Sequence, residues 1–299
     1  MQPCIKFKDK GMNIMSRSFM ARLLYIYFKL KRKPTEAQAE KELDDIKLKG
    51  ETDSPDPKEI TVRYDNNVFY ANENTSSKYI IFYIHGGGYQ HDFSPFHWKF
   101  IKKLIDQTDA AVIAPAYHLI PFGNCQAAFD LIVPLYRKYV DEQPEKKFII
   151  MGDSSGGGLS LALVEYLKAE KLRTPDETIL LSPWVDASME NPELLDFTAK
   201  DPWLTIPWLK VCGRHWAGQY NVHDYRVSPI YGNVDGLTNI TVFLGTRELF
   251  YPDIVKFFSM LDAKNNELII GQDMMHVFPI LPIPEAKKYC SKIIETIIR

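Results

Sequence analysis

Phe148-Ile149-Ile150-Met151-Gly152-Asp153-Ser154-Ser155-Gly156 decides the fold, because it joins two kinds of segment through one unusual turn. The apolar run 148–151 reads as a buried strand, and a helix-length segment, 157–171, follows. A serine at a sharp strand-to-helix turn is held in a strained backbone conformation, and neighbours two residues away must lack Cβ for the chain to fit. The turn lifts the Ser154 hydroxyl to a helix N-terminus, where developing negative charge is favoured. The plain alternative is a glycine-rich turn with no chemistry. A phosphate-cradling loop would need a lysine after Gly156, and none stands there. Ser154 is the candidate nucleophile.

Outward from this turn, strand-like and helix-like segments alternate. Apolar runs occur at Tyr79–Ile84, Ala111–Ala116, Ile179–Leu181, Thr241–Leu244 and Glu267–Ile270. Helical segments are predicted at Phe96–Gln107, Gln126–Val140, Pro252–Lys264 and Pro284–Ile298, with Pro134 expected to kink or divide the second of these. Strands apolar on both faces and joined by helical crossovers build a parallel sheet covered on both sides. A hairpin, Ile60–Tyr64 with Val68–Asn72, brings the count to eight strands. Residues 187–222 break the alternation with Trp203, Trp208 and Trp216 and no clear strand. They read as an inserted cap over the sheet edge, where sites in such sheets open.

The 299 residues carry 36 Lys plus Arg against 38 Asp plus Glu, a net charge of −2, which supplies no field to hold a polyanion. Nucleic acid is not expected as a partner. With 45% hydrophobic residues the chain has material for a packed core. Cys4, Cys125, Cys212 and Cys290 lie far apart without metal-site spacing, as suits thiols of a reducing, cytoplasmic compartment. Near the N-terminus Phe19, Leu23, Ile26 and Leu30 share one helical face, but Arg22 and Lys29 interrupt the run. It is read as an amphipathic helix packing on the body, with attachment to a membrane surface as the alternative and no stable insertion. A capping box at Thr35–Gln38 opens a second helix that stops at Gly50. Residues 1–15 are read as a loose tail. The division expected is 1–50, N-terminal helices contributing to the cap, and 51–299, the core with its insert.

His85-Gly86-Gly87-Gly88 directly follows the strand Tyr79–Ile84, and chance seldom produces it at this composition. Three glycines let the backbone aim N–H groups at an anion forming beside the serine. The donors expected are Gly87, Gly88 and Ser155, with His85 orienting the loop. Among seven histidines, His276 lies just after the last strand, at the edge where the site opens, and is the candidate general base. Glu248, just past the strand Thr241–Leu244, is the favoured acid; Asp253 is its rival, near a helix start where Asp commonly caps, and Asp273 is a third carboxylate. Tyr89, Trp203 and Trp208 are the candidate substrate-binding residues.

From Tyr79 to the C-terminus the chain resembles the hormone-sensitive-lipase branch of the α/β-hydrolases. The likeness rests on His85–Tyr89, Gly152–Gly156, Ser182-Pro183-Trp184-Val185-Asp186, Asp201-Pro202-Trp203-Leu204, Ser228-Pro229 and His276-Val277-Phe278. The resemblance implies Ser154 as nucleophile, Glu248 as acid, His276 as base, and Gly87, Gly88 and Ser155 as oxyanion donors. It implies an α/β-hydrolase fold with a mostly parallel eight-stranded sheet, helices on both faces and a helical cap. Two departures stand out: Glu248 where the family usually has Asp, and Tyr117-His118-Leu119-Ile120-Pro121-Phe122 where an Arg and a Glu are common. The expected function is a serine carboxylesterase for small, short-acyl esters, needing no metal or organic cofactor, as a monomer or homodimer. An amidase or carbohydrate deacetylase with the same three residues, and a non-catalytic ligand-binding protein of this scaffold, are the alternatives.

Overall fold

The computed structural model describes residues 17–31, 33–52, 54, 57–262 and 264–299. The expected tail 1–15 and Cys4 lie outside the described residues. Two N-terminal helices, α1 (Phe19–Leu30) and α2 (Glu36–Lys49), precede the hairpin β1 (Arg63–Asp65) and β2 (Val68–Ala71). Then come β3 (Tyr79–Ile84), α3 (Pro95–Thr108), β4 (Ala111–Pro115), α4 (Cys125–Glu142), β5 (Lys147–Asp153), α5 (Ser154–Ala169) and β6 (Glu177–Leu181). After the insert containing α6 (Ile206–Ala217), the chain closes with β7 (Ile240–Gly245), α7 (Tyr251–Met260), β8 (Glu267–Gly271) and α8 (Ala286–Ile298).

The eight strands form one sheet in the order β1-β2-β4-β3-β5-β6-β7-β8. The pairs β1–β2 and β2–β4 are antiparallel, and every later pair is parallel. Burial on both faces explains the continuous apolar runs. Along β3, Ile80, Phe82 and Ile84 join the core shared with α2, α4, α5, α6 and α7, whereas Ile81 and Tyr83 join the core shared with α1, α3 and α8. Register then aligns the strand ends. Ile84 pairs with Gly152, Asp153 with Leu181, and Gly245 with Gly271. The loops after β3, β5, β6, β7 and β8 therefore leave one edge of the sheet together.

Three local expectations differ from the structure. Helix α4 is not divided: it runs through Pro134 over 18 residues, held by the buried side chains of Ala128, Phe129, Ile132 and Tyr136. Helix α7 ends at Met260, where Leu261 turns extended. In α1 the face expected to pack inward points outward: Phe19 is 75%, Leu23 44%, Ile26 52% and Leu30 81% exposed. Ala21 and Phe28 are the buried residues instead. Periodicity identified an amphipathic helix, but α1 has apolar residues on two faces, and the body takes the one whose rings meet Trp203.

Polar contacts fasten that inner face. The Ser18 N–H and hydroxyl donate to Glu285 at 2.5 and 2.9 Å, and the Tyr25 hydroxyl donates to the Lys200 carbonyl at 3.3 Å. Helix α2 meets α6 through Arg214, which donates to Glu36 and Glu40 at 3.1 and 2.9 Å, and through His215 against Glu40 at 2.7 Å. The cap region is thus helical and touches both N-terminal helices.

Candidate active site

Ser154 is the first residue of α5 and has φ +53°, the left-handed region that a non-glycine residue rarely adopts. The strain is held by neighbours. The Trp184 N–H donates to the Ser154 carbonyl at 2.8 Å, and a Cβ at Gly156 would strike the backbone carbonyls of Ile84 and His85. Glycine at 156 is required by that close approach of α5 to the end of β3.

From Ser154 a chain of buried hydrogen bonds crosses the sheet edge. His276 Nε2 lies 2.8 Å from Ser154 Oγ, and its Nδ1 lies 2.7 Å from Glu248 Oε2. The other Glu248 oxygen accepts from the Gly245 N–H at 2.7 Å and the Ser182 hydroxyl at 3.0 Å. Ser182 in turn accepts from the Val277 N–H at 3.0 Å, so one hydroxyl ties the carboxylate loop to the histidine loop. The glutamate's extra methylene is accommodated with all of these bonds made. Phe250 and Trp203 set their rings edge-on to the imidazole at 5.2 and 5.9 Å.

The rival carboxylates lie elsewhere. Asp253 is buried in the first turn of α7 and accepts from Asn191 at 2.7 Å. Burial pushes its carboxyl up to about 6, against the opposing effect of that bond. It does not cap the helix, whose cap position is Phe250. Asp273 faces Arg247 at 3.6 Å. Of the other histidines, His118, His215 and His223 pair with Glu51, Glu40 and Glu190 near the surface. His118, at the place where the resembled family commonly carries arginine, has its Nδ1 2.6 Å from Glu51.

The loop after β3 sits against the turn at Ser154. Gly88 has φ +65°, and a Cβ there would strike the Trp208 ring. The expected donors are not equally free. The Gly88 N–H is already donated to the Ser155 hydroxyl at 3.0 Å. Among the described residues the Gly87 N–H has no protein acceptor, and the Ser155 N–H is one of the helix's first four amides, which have no intrahelical partner. His85 is fully buried, stacked on Tyr117 at 4.5 Å, with Nδ1 2.8 Å from the Gly86 carbonyl oxygen. Burial lowers its pKa first, with the facing Asp92 opposing.

Trp203 and Trp208 border the site, the latter through a 2.8 Å bond from its indole N–H to Gln90. Tyr89 does not. Its ring lies parallel to Trp216 at 3.8 Å and close to Trp184, and it is 1% exposed, so it is packing material under the cap. Aromatic side chains next to a glycine loop are equally suited to either role, and the sequence did not distinguish them.

Three polar residues stand in motifs quoted above, but the sequence assigned them no role. Asp153 Oδ1 accepts from the Tyr83 hydroxyl at 2.8 Å and the Gly86 N–H at 3.1 Å, while Oδ2 lies 3.2 Å from His97 Nε2. Burial raises its pKa, but the His97 charge and these bonds outweigh that and hold it low. Asp201 accepts from the Trp203, Leu204 and Leu249 N–H groups at 2.7, 2.8 and 2.7 Å, joining the insert to the residue after Glu248. Burial pushes this carboxyl up, the nearby His276 and those amides opposing. Ser182 completes the set. The signal for all three was their place in motifs directly beside strand ends or ring positions of the cap.

A profile described as alpha/beta hydrolase fold matches residues 81–280. The chain belongs to the α/β-hydrolase family. An esterase of Acinetobacter venetianus is 32% identical over 184 residues, 61% of this chain and 61% of that protein. An acetyl-hydrolase of Streptomyces hygroscopicus is 28% identical over 58% of each chain. The chain therefore spans about six tenths of the length of these relatives. Among solved structures, a hormone-sensitive lipase from a metagenome library superposes over 93% of this chain and 96% of its own with a TM-score of 0.77 at 24% identity, a likeness of fold.

Among the described residues no helix is long and apolar enough to cross a membrane, and Cys125, Cys212 and Cys290 are free and buried.

Proposed function

We propose that the protein is a serine carboxylesterase acting on small esters with short acyl chains. The reading is carried by the continuous bonding of Ser154, His276 and Glu248 at 2.8 and 2.7 Å. In this mechanism His276 takes the Ser154 proton as the hydroxyl oxygen attacks the ester carbonyl. Glu248 holds the imidazole in one orientation and stabilises its cation. The resulting oxyanion is met by the Gly87 and Ser155 N–H groups, and by Gly88 once its bond to the Ser155 hydroxyl is exchanged. Removing one such donor typically costs about 3 kcal/mol of barrier. His276 returns the proton to the leaving alkoxide, and water then cleaves the acyl-enzyme with His276 again as base.

Short acyl chains suit a site bordered by Trp203 and Trp208, and the acetyl-hydrolase among the relatives points the same way. We assign Trp203 and Trp208 to substrate binding, and the cap to α1, α2 and the insert. Free buried thiols suit a cytoplasmic protein. The decisive experiment is labelling with an organophosphonate followed by mass spectrometry. Modification of Ser154, with faster turnover of p-nitrophenyl acetate than of an anilide or an acetylated sugar, is the expected result. Labelling at another serine rejects the mechanism, and a faster anilide reaction makes the protein an amidase.

A further inference from the structure

Helix α1 carries an outward apolar face that no residue among those described covers. At 100° per residue, Ile26, Phe19, Leu30, Leu23, Tyr27 and Met20 occupy an arc of about 120°, and all six are exposed. The opposite side, with Ala21 and Phe28, is buried on the protein. Arg22 and Lys29 lie together along one flank of the arc, exposed, and Lys31 and Lys33 follow the helix end, also exposed. Residues 17–33 hold six Lys or Arg and no Asp or Glu, although the whole chain has a net charge of −2.

We propose that α1 is a docking helix for an anionic lipid surface. An apolar stripe wide enough to enter the headgroup boundary, edged by cations, is the pattern that binds such surfaces in the plane of the interface. Each cation near an anionic leaflet strengthens attachment by roughly fivefold. Pairing of two copies through the same face would bring two such cationic segments together, so self-association is disfavoured by charge where an anionic surface is favoured. The inner side of the helix makes the location consequential. Phe28 stacks on Trp203 at 4.2 Å, and Trp203 sets its edge on His276, so the inner side of the docking helix lies two ring contacts from the candidate site.

The test is flotation of the full chain with vesicles of phosphatidylcholine alone or containing 30% phosphatidylglycerol (about one lipid in three), in low and high salt. The wild type is expected to float with the anionic vesicles, at least roughly tenfold more than with neutral ones, and to be released by salt. The double variant Leu23→Glu/Ile26→Glu is expected to lose this binding while its melting temperature and its turnover of a soluble ester stay unchanged. Flotation of the variant equal to wild type, or none by either protein, overturns the proposal. A concentration-dependent dimer that the double variant dissolves, without vesicle binding, assigns the face to a second copy instead.

Discussion

Helix α1 and the Ser154–His276–Glu248 cluster are near neighbours, yet they are held in opposite ways. In the cluster every polar atom described has a partner and the side chains are almost fully buried. A desolvated charge must be bonded or it is costly, so this arrangement tolerates little change. Helix α1 is attached by the buried Ala21 and Phe28, the partly buried Leu24 and Tyr25 and a few polar bonds, and most of its large apolar side chains remain in solvent. The first region is determined by internal geometry; the second has an unfilled face whose effect depends on what surrounds the protein.

The largest effect expected is at the proposed nucleophile. Ser154→Ala should lower kcat by roughly 10⁴-fold or more and abolish phosphonate labelling, with the melting temperature little changed. Retained turnover would separate the bonded cluster from the chemistry altogether. Next comes the choice of carboxylate. Glu248→Ala should cost roughly 10³–10⁴-fold in kcat, because the imidazole loses both its orientation and its countercharge. Asp253→Ala should cost less than about tenfold, since its carboxylate bonds Asn191. The reverse order would transfer the acid role to Asp253.

The contrast between these regions also explains what could be read from the chain. The turn around Ser154 was legible because strain and close approach restrict residue type: Gly156 has no room for a Cβ. The sheet was legible because strands buried on both faces must be apolar throughout. Glu248 and His276 were legible from their places after β7 and β8, positions that the register brings together. The packing face of α1 was not, because Phe28 and Leu23 have similar hydrophobicity and only the position of Trp203, far along the chain, decides between them. The bonds of Asp153 with His97 and Tyr83 were hidden for the same reason: a histidine on α3 shows no partner until the fold supplies one.

A buried carboxylate outside the cluster tests the rule that buried charge must be bonded. Glu165, on α5, has both oxygens buried and no partner among the described residues, and burial pushes its carboxyl up to about 9 while Lys168 opposes weakly. The folded state therefore keeps a proton that the unfolded chain releases near the ordinary value of about 4.3. The sign follows: stability is greatest at low pH for this group and is lost as pH rises between those two values, by about 1.4 kcal/mol per pH unit. Glu165→Gln cannot ionise, so its unfolding midpoint in urea should fall less from pH 6 to pH 8.5 than that of the wild type. Parallel curves would place the proton elsewhere.

The smallest effect expected is on the outer face of α1, and it is informative only beside its inner face. Phe28→Ala removes a buried ring stacked on Trp203 and should destabilise by about 3 kcal/mol, the lower end for a Phe truncated in a core. Leu23→Ala, on the solvent side of the same helix, should change stability by less than about 0.5 kcal/mol, because it gives up little buried area and gains helix propensity. Urea unfolding of both variants measures the difference directly. Equal losses would mean that the outer face is covered in solution by the protein itself, in which case no docking surface exists there. A large gap leaves the apolar residues of that face without any role in folding, and their retention at the surface is then explained by contact with something outside the chain.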